Sequence, residues 1–239
     1  MENPAALGLI ASGSALYGAA ALAYAVRGRS SQIFGPSVYQ GSKTRPAVAV
    51  TFDDGPSEAT FPLLEILGKF NIPATFFQCG VNVRRLPEAA RSVVSAGHEI
   101  GNHSHTHPAL YFHSAAAIES EFLNAQRTIE DTVGVTPSLM RAPFGVRWFG
   151  FRQMQARLRL TGVMWTVIGR DWKLDAASVT RRVLNRVRNG AIICLHDGRQ
   201  LARRPDVQPT LDAVRQIIPS LVSRGLEFQT VSQLLCPTK

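Results

Sequence analysis

The chain has 239 residues, 45% of them apolar, which is the make-up of one sizeable globular domain with an N-terminal addition and leaves no low-complexity tract. Lys and Arg number 26 against 17 Asp and Glu, and the net charge of +9 favours anionic surfaces such as lipid head groups, acidic cell-wall polymer or nucleic acid. The basic residues are scattered or paired ("VRRL", "ARRP", "TRRV") without a long run or interleaved aromatics, so no nucleic-acid partner is expected. Cys79, Cys194 and Cys236 are too few and too far apart for a disulfide framework, and no CxxC pair suggests a zinc knuckle. Cys79 and Cys194 fall in strand-like apolar runs and read as small core residues.

The first 28 residues stand apart. No charged side chain lies between Glu2 and Arg27, and "PAALGLIASGSALYGAAALAYAV" matches the ~20 residues that cross a bilayer core as a helix. Residues 1–28 are therefore expected to be an N-terminal transmembrane anchor or an uncleaved signal, since the stretch lacks the positive leader of a cleaved one. Arg27 and Arg29 follow it, and basic flanks favour the cytoplasmic side. Gly35-Pro36, Gly41 and "SKTRP" read as a linker over 29–45, with the main domain at 46–239.

From Ala47 onward short β-branched runs alternate with stretches of helical spacing. "AVAVTF", "ATFFQ", "HEIGNH", "SLMRA", "TGVMWTV", "AIICL" and "LEFQTV" are each followed by a helical pattern, and Ser114 is placed to cap the one after "HEIGNH". Seven strand-then-helix units predict a parallel sheet closed, or nearly closed, into a (β/α) barrel, with an open doubly wound sheet as the alternative. In either architecture function gathers at the carboxyl ends of the strands. Asp53 and Asp54 end the first strand, His103 and His107 follow the third, Arg141 ends the fourth, Asp171 follows the fifth and His196 ends the sixth.

"GNHSHTHPAL" holds three of the six histidines, His103, His105 and His107. Alternate residues of an extended segment share a side and residues four apart share a helical face, so spacing alone leaves open which two converge. Pro108 disfavours helical dihedrals at His107 and argues for a turn. Two imidazoles with one carboxylate would make a three-ligand site for a divalent ion, with positions left for water and substrate. The diaspartate of "TFDDGPSEAT" suits this: adjacent carboxylates leaving a strand point apart, so one can ligate while the other serves as a base. A guanidinium from Arg141 near Asp53 would keep that base ionised, and Asp171 bonded to His196 would favour an imidazolium as proton donor.

Taken together and in this order, "TFDDGP", "HSHTH", "RAPFG", "RDW" and "LHD" resemble the motifs of the polysaccharide deacetylase (NodB-homology) family, carbohydrate esterase family four, and the likeness runs from about Ala47 to Leu235. The resemblance implies a distorted (β/α)7 barrel and metal-dependent removal of N-acetyl groups from a peptidoglycan- or chitin-like glycan. A metal-bound water would attack the amide, with an Asp base and a His acid. It implies one divalent ion, zinc with cobalt or manganese as alternatives, held by Asp54, His103 and His107, while His105 falls at a variable position. By the same resemblance Asp53 is the base oriented by Arg141, His196 the acid tuned by Asp171, Trp172 and Leu195 the walls of an acetyl pocket, and the Phe144 N–H an oxyanion donor. Two positions depart from the family pattern: Ile168 replaces the first aspartate of D-x-x-D-W, and Cys194 replaces the leucine of L-x-H. A glycan-modifying role places the domain outside the cytoplasm as a single-pass, membrane-anchored monomer, against the lean of Arg27 and Arg29. A catalytically silent glycan-binding domain, or an amidohydrolase acting on a small non-sugar amide, are the alternative functions.

Overall fold

A computed structural model describes residues 17–236. The fold is an open parallel half-barrel of nine strands, in the order β1 (Ser37–Val38), β6 (Thr161–Val163), β5 (Leu139–Met140), β4 (Glu99–Asn102), β3 (Thr75–Gln78), β2 (Ala47–Gly55), β8 (Ile192–His196) and β7 (Val167–Ile168), with β9 (Glu227–Phe228) pairing beside β2. Its central strand is β2 (Ala47–Gly55), flanked by β3 (Thr75–Gln78) and β8 (Ile192–His196), and every β2 residue is buried. Side chains of a strand alternate between faces. Val48, Val50 and Phe52 point outward, packing with Leu63 and Leu67 of α2 (Thr60–Lys69) and with Val214 and Ile218 of α8 (Gln208–Ser223). Ala47 and Ala49 point inward and join Phe77, Val163, Ile192, Val231 and Leu234 at the amino end of the interior. Thr51 and Asp53 continue that inward face towards the carboxyl end, where apolar filling gives way to polar residues.

The remaining strands supply the other site loops. β4 (Glu99–Asn102) leads into the histidine loop and then α5 (Ala115–Val133), whose first turn is capped by Ser114 Oγ accepting from Ala117 N at 3.2 Å. At its other end Gly134, at φ 71°, takes the left-handed conformation that glycine adopts without steric cost. β5 (Leu139–Met140) precedes Arg141 and a 3-10 turn over Pro143–Gly145. α3 (Gly80–Arg85) and α4 (Pro87–Ser95) both follow β3. Only the second was expected, because α3 is a short turn with no apolar period of its own.

Three expectations are corrected. The barrel does not close: β1 (Ser37–Val38) and β7 (Val167–Ile168) remain the edges of the hydrogen-bonded path. "TGVMWTV" is not one strand but β6 (Thr161–Val163) and β7, joined without a helix, so the chain crosses the gap directly. Met164 N donates to Val38 O at 2.7 Å on one side and Thr166 N to Ile192 O at 3.0 Å on the other. The 29–45 segment, expected as a linker, carries β1, which pairs with β6, and Gln40 bridges to Ala191. It is held because Arg147, fully buried, donates to the carbonyls of Ser31 (2.8 Å) and Gly28.

The expected anchor falls mostly beyond what the structure describes. Its first sixteen residues lie outside the described residues, and the helix α1 is described over 17–27. Among the described residues no helix is long and apolar enough to cross a membrane. The end of α1 is attached to the domain, with Val26 packed among Leu110, Phe151 and Met154.

Candidate active site

The carboxyl ends of the strands open into a cleft of about 660 Å³ lined by Asp53, Asp54, His103, His107, Cys194 and His196 on its floor and by Phe144, Trp165, Ile168 and Trp172 on its walls. Asp53 and Asp54 diverge because the β2–β3 register shifts between Asp53 and Gly55, and Asp54 sits at φ 71°. A left-handed non-glycine residue is costly and needs support. Here Asp54 O accepts from Asn82 Nδ2 at 2.6 Å and Asp54 Oδ2 accepts from Gln200 N at 2.7 Å.

The other oxygen, Asp54 Oδ1, faces His103 Nε2 at 3.3 Å and His107 Nε2 at 3.0 Å. His103 Nδ1 lies 2.8 Å from Arg141 O, an acceptor, so that nitrogen carries the ring proton and Nε2 turns a lone pair towards the carboxylate. Two acceptors face each other unless a proton or a cation lies between them. The trio therefore fits a divalent ion: three donors of the right type converge, and a carbonyl fixes one imidazole's orientation from behind. Burial pushes the Asp54 carboxyl up, but the contacts with His103 and His107 outweigh it and hold the group well below the usual carboxylate range.

Spacing left the histidine pair open, and the loop's backbone settles it. Ser104 (φ 66°) and His107 (φ 55°) both take left-handed dihedrals, which break the alternation and bring His103 and His107 to one side. His105 goes elsewhere, packed against Gly80, with its N–H donating to Glu121 Oε2 at 3.0 Å. Glu121 also accepts from Thr106 N (2.8 Å) and Thr106 Oγ1 (2.8 Å), so one carboxylate on α5 pins the loop.

Asp53 Oδ1 accepts from Arg141 Nη1 at 2.6 Å. Arg141 has no exposed surface; it also donates to Thr51 Oγ1 (2.7 Å) and Val163 O (3.2 Å), and its guanidinium lies 4.2 Å from the Phe77 ring centre. The second oxygen of Asp53 lies 3.4 Å from Cys194 Sγ. Across the cleft, His196 Nδ1 meets Asp171 Oδ1 at 2.9 Å. Asp171 Oδ2 accepts from His196 N (2.9 Å) and Thr210 Oγ1 (2.6 Å). Burial alone would depress the imidazolium, but the Asp171 carboxylate outweighs it and raises His196 to about 9.

Trp172 is half exposed, with its ring edge-on to His196 at 5.0 Å, and Phe144, at φ 56°, stands over His107 at 4.8 Å. Leu195 is not at the cleft. On β8, Cys194 and His196 face inward, so alternation turns Leu195 into the helix-side core with Val179, and Cys194 and Ile168 form that wall instead.

Asn82, Glu121 and Thr210 support the site with no sequence signal beyond polarity, and Asp197 with little more. Asp197 is buried beneath the diaspartate turn, where a Cβ on Gly55 would strike its carboxylate. Its N–H donates to Asp53 O (3.2 Å), its Oδ2 accepts from Thr60 Oγ1 (2.6 Å), and burial pushes its carboxyl up to about 7. Its place in "LHDG", next to His196, was the one clue.

Residues 40–163, more than half of the chain, match the family described as polysaccharide deacetylase. The chain belongs to that family. A chitooligosaccharide deacetylase of Bradyrhizobium sp. is 36% identical over 197 residues, 79% of this chain and 90% of that protein. A peptidoglycan-N-acetylglucosamine deacetylase of Listeria monocytogenes is 33% identical over 195 residues, 81% of this chain but 40% of that longer protein. Among solved structures, a carbohydrate esterase family four pseudoenzyme from Bacillus anthracis aligns with a TM-score of 0.77 at 26% identity, over 86% of this chain and 71% of that one. As a polysaccharide deacetylase the chain has the enzyme class expected of its motifs, and the open half-barrel is the architecture it shares with those structures.

Proposed function

We propose that this polysaccharide deacetylase removes N-acetyl groups from an N-acetylhexosamine glycan of the peptidoglycan or chitin kind. The observation that carries the reading is the division of labour between neighbouring acids: Asp54 faces two imidazoles while Asp53 faces a guanidinium. Asp54, His103 and His107 would hold one divalent ion, zinc by its preference for this nitrogen and oxygen donor set. That ion, when bound, supplies Lewis-acid polarisation of the amide carbonyl and of the attacking water.

The chain's own groups carry the protons. Asp53, aimed by Arg141, accepts the proton of the attacking water through Oδ2, the oxygen Arg141 leaves free. His196, charged through its pairing with Asp171, gives a proton from Nε2 to the departing amine. The Phe144 N–H serves as donor to the developing oxyanion. Trp172 and Ile168 flank the acetyl methyl, and Cys194 in place of a leucine widens that end.

The test is acetate release from a chitooligosaccharide and from a peptidoglycan fragment, with and without chelator. Release that stops on chelation and returns with added zinc supports the reading. Glycan binding with no acetate would make the domain a silent binder, and release from small N-acyl amides alone would make it a non-sugar amidohydrolase. The alkaline limb is a second check. An acid of about 9 is protonated below that pH, so kcat falls as pH rises through it. Asp171→Asn removes the partner that outweighs burial, and the limb shifts down towards about 6.5, the ordinary value of an imidazole; an unmoved limb would take the acid role from His196. We further propose that the domain lies outside the cytoplasm, where such glycans are found; a topology reporter fused after Gly41 that is active only inside would refute it.

A further inference from the structure

Cys194 brings sulfur to a place where the family pattern has leucine. Its Sγ is 3.4 Å from Asp53 Oδ2, the oxygen that Arg141 does not hold. His196, two residues on, shares the inward face of β8. Because its Nδ1 is tied to Asp171 Oδ1 at 2.9 Å, Nε2 is the nitrogen left for the cleft. A thiol, a carboxylate oxygen and an imidazole nitrogen thus lie within 4.8 Å of one another. Among the described residues the one other trio of metal-ligand types so placed is Asp54, His103 and His107.

Bonds of about 2.0–2.3 Å in a tetrahedral zinc centre separate the donors by roughly 3.3–3.7 Å. The Cys194–Asp53 spacing already falls there, and the His196 donor lies within 4.8 Å of both. The carboxylate behind His196 has the carboxylate–histidine–metal arrangement that orients a ligating ring and raises its basicity. Charge also permits a cation: Asp53, Asp171 and a thiolate offset Arg141 and a divalent ion. The sulfur selects which one, since thiolates take zinc and cadmium while magnesium and manganese prefer oxygen.

We propose that Asp53, Cys194 and His196 form a second metal site, specific for thiophilic ions and separate from the Asp54 site. On binding, the ion displaces the thiol proton to solvent and occupies the lone pairs of Asp53 Oδ2 and His196 Nε2. Occupancy silences the enzyme, because those atoms accept and deliver the protons of hydrolysis. This consequence rests on the proposed roles of Asp53 and His196, whereas the site itself rests on the placement of its three donors. The enzyme would then run with one equivalent of zinc and stop with excess, while excess manganese leaves it running.

Cadmium reports the site directly, through the ultraviolet charge-transfer band of a cadmium thiolate. Cys236 is exposed and is removed as Cys236→Ser; Cys79 is fully buried, with its sulfur 3.7 Å from His103 O. In that background, titration should show a silent first equivalent and then a band with the second. Adding Cys194→Ala should abolish the band and one equivalent of uptake; adding Asp54→Asn should keep the band and lose the silent equivalent. Should Cys194→Ala fail to fold, Cys194→Leu, which restores the family residue, takes its place. Absence of a band in the Cys236→Ser protein, or its persistence without Cys194, overturns the proposal. In the activity arm, the zinc concentration that inhibits should be at least about 10-fold higher without Cys194, since losing even an outer-shell partner of a ligand costs that much. Equal inhibition in both refutes the silencing. If no metal yields acetate release, the proposed function fails while the band still decides the site.

Discussion

Asp53→Asn should lower acetate release by about 10³-fold, the scale of losing a positioned general base, with the one equivalent of zinc at the Asp54 site unchanged. Asparagine keeps the shape of the side chain and can still meet Arg141, but it cannot take a proton. Asp53 is not one of the three converging donors Asp54, His103 and His107, so the metal they would hold should stay. His103→Ala is the contrasting variant. It removes one of those three donors, so zinc and turnover should be lost together. The pair separates proton transfer from metal holding, read by acetate release beside metal analysis of the dialysed protein. Activity retained in Asp53→Asn, or loss of the single zinc equivalent assigned to Asp54, His103 and His107, would refute the division of labour between the two aspartates.

Arg141→Met should cost about 3–5 kcal/mol of stability, the range for leaving one member of a buried ion pair without its partner. Methionine fills much of the volume but donates nothing. Asp53 then loses its 2.6 Å contact inside the sheet, and Val163 O loses a donor. Thr51 Oγ1 is less affected, since it still donates to Ile193 O at 2.8 Å. Urea denaturation of the zinc-free protein is the measurement. The double variant Arg141→Met with Asp53→Asn should recover part of the loss, because the stranded charge is gone. A loss below about 1 kcal/mol, the scale of an exposed pair, would mean that water reaches Asp53 and replaces the guanidinium contact.

Much of this was legible one segment at a time. Period-2 and helical patterns reveal which faces of β2, α2 and α8 are buried, because burial of alternate or i, i+3/i+4 side chains is a local property. Asp53, Asp54, His103, His107, Arg141, Asp171 and His196 were readable as polar residues at strand ends for the same reason. The misplaced elements show where locality stops. The alternation that put Cys194 in the cleft necessarily takes Leu195 out of it, but a motif match does not carry a strand's register. "TGVMWTV" has uniform strand character, yet it divides because Met164 bonds to Val38 of β1, far back in the chain, and Thr166 to Ile192 of β8, which follows only after α7 (Ala176–Arg186).

Sequence by itself therefore determined the kinds of chemistry present, the alternation of most strands with helices, and the family. Tertiary structure alone decided the partnerships. Arg141 reaches Asp53 across 88 positions, and Asp54 meets imidazoles from another loop. Left-handed residues at Asp54, Ser104 and His107 were decided there too, since such dihedrals persist only where surrounding contacts such as Asn82, Gln200 and Glu121 hold them. The physical reason is that a side chain's facing is set within a few residues, whereas its partner is set by crossovers that return distant strands to one sheet.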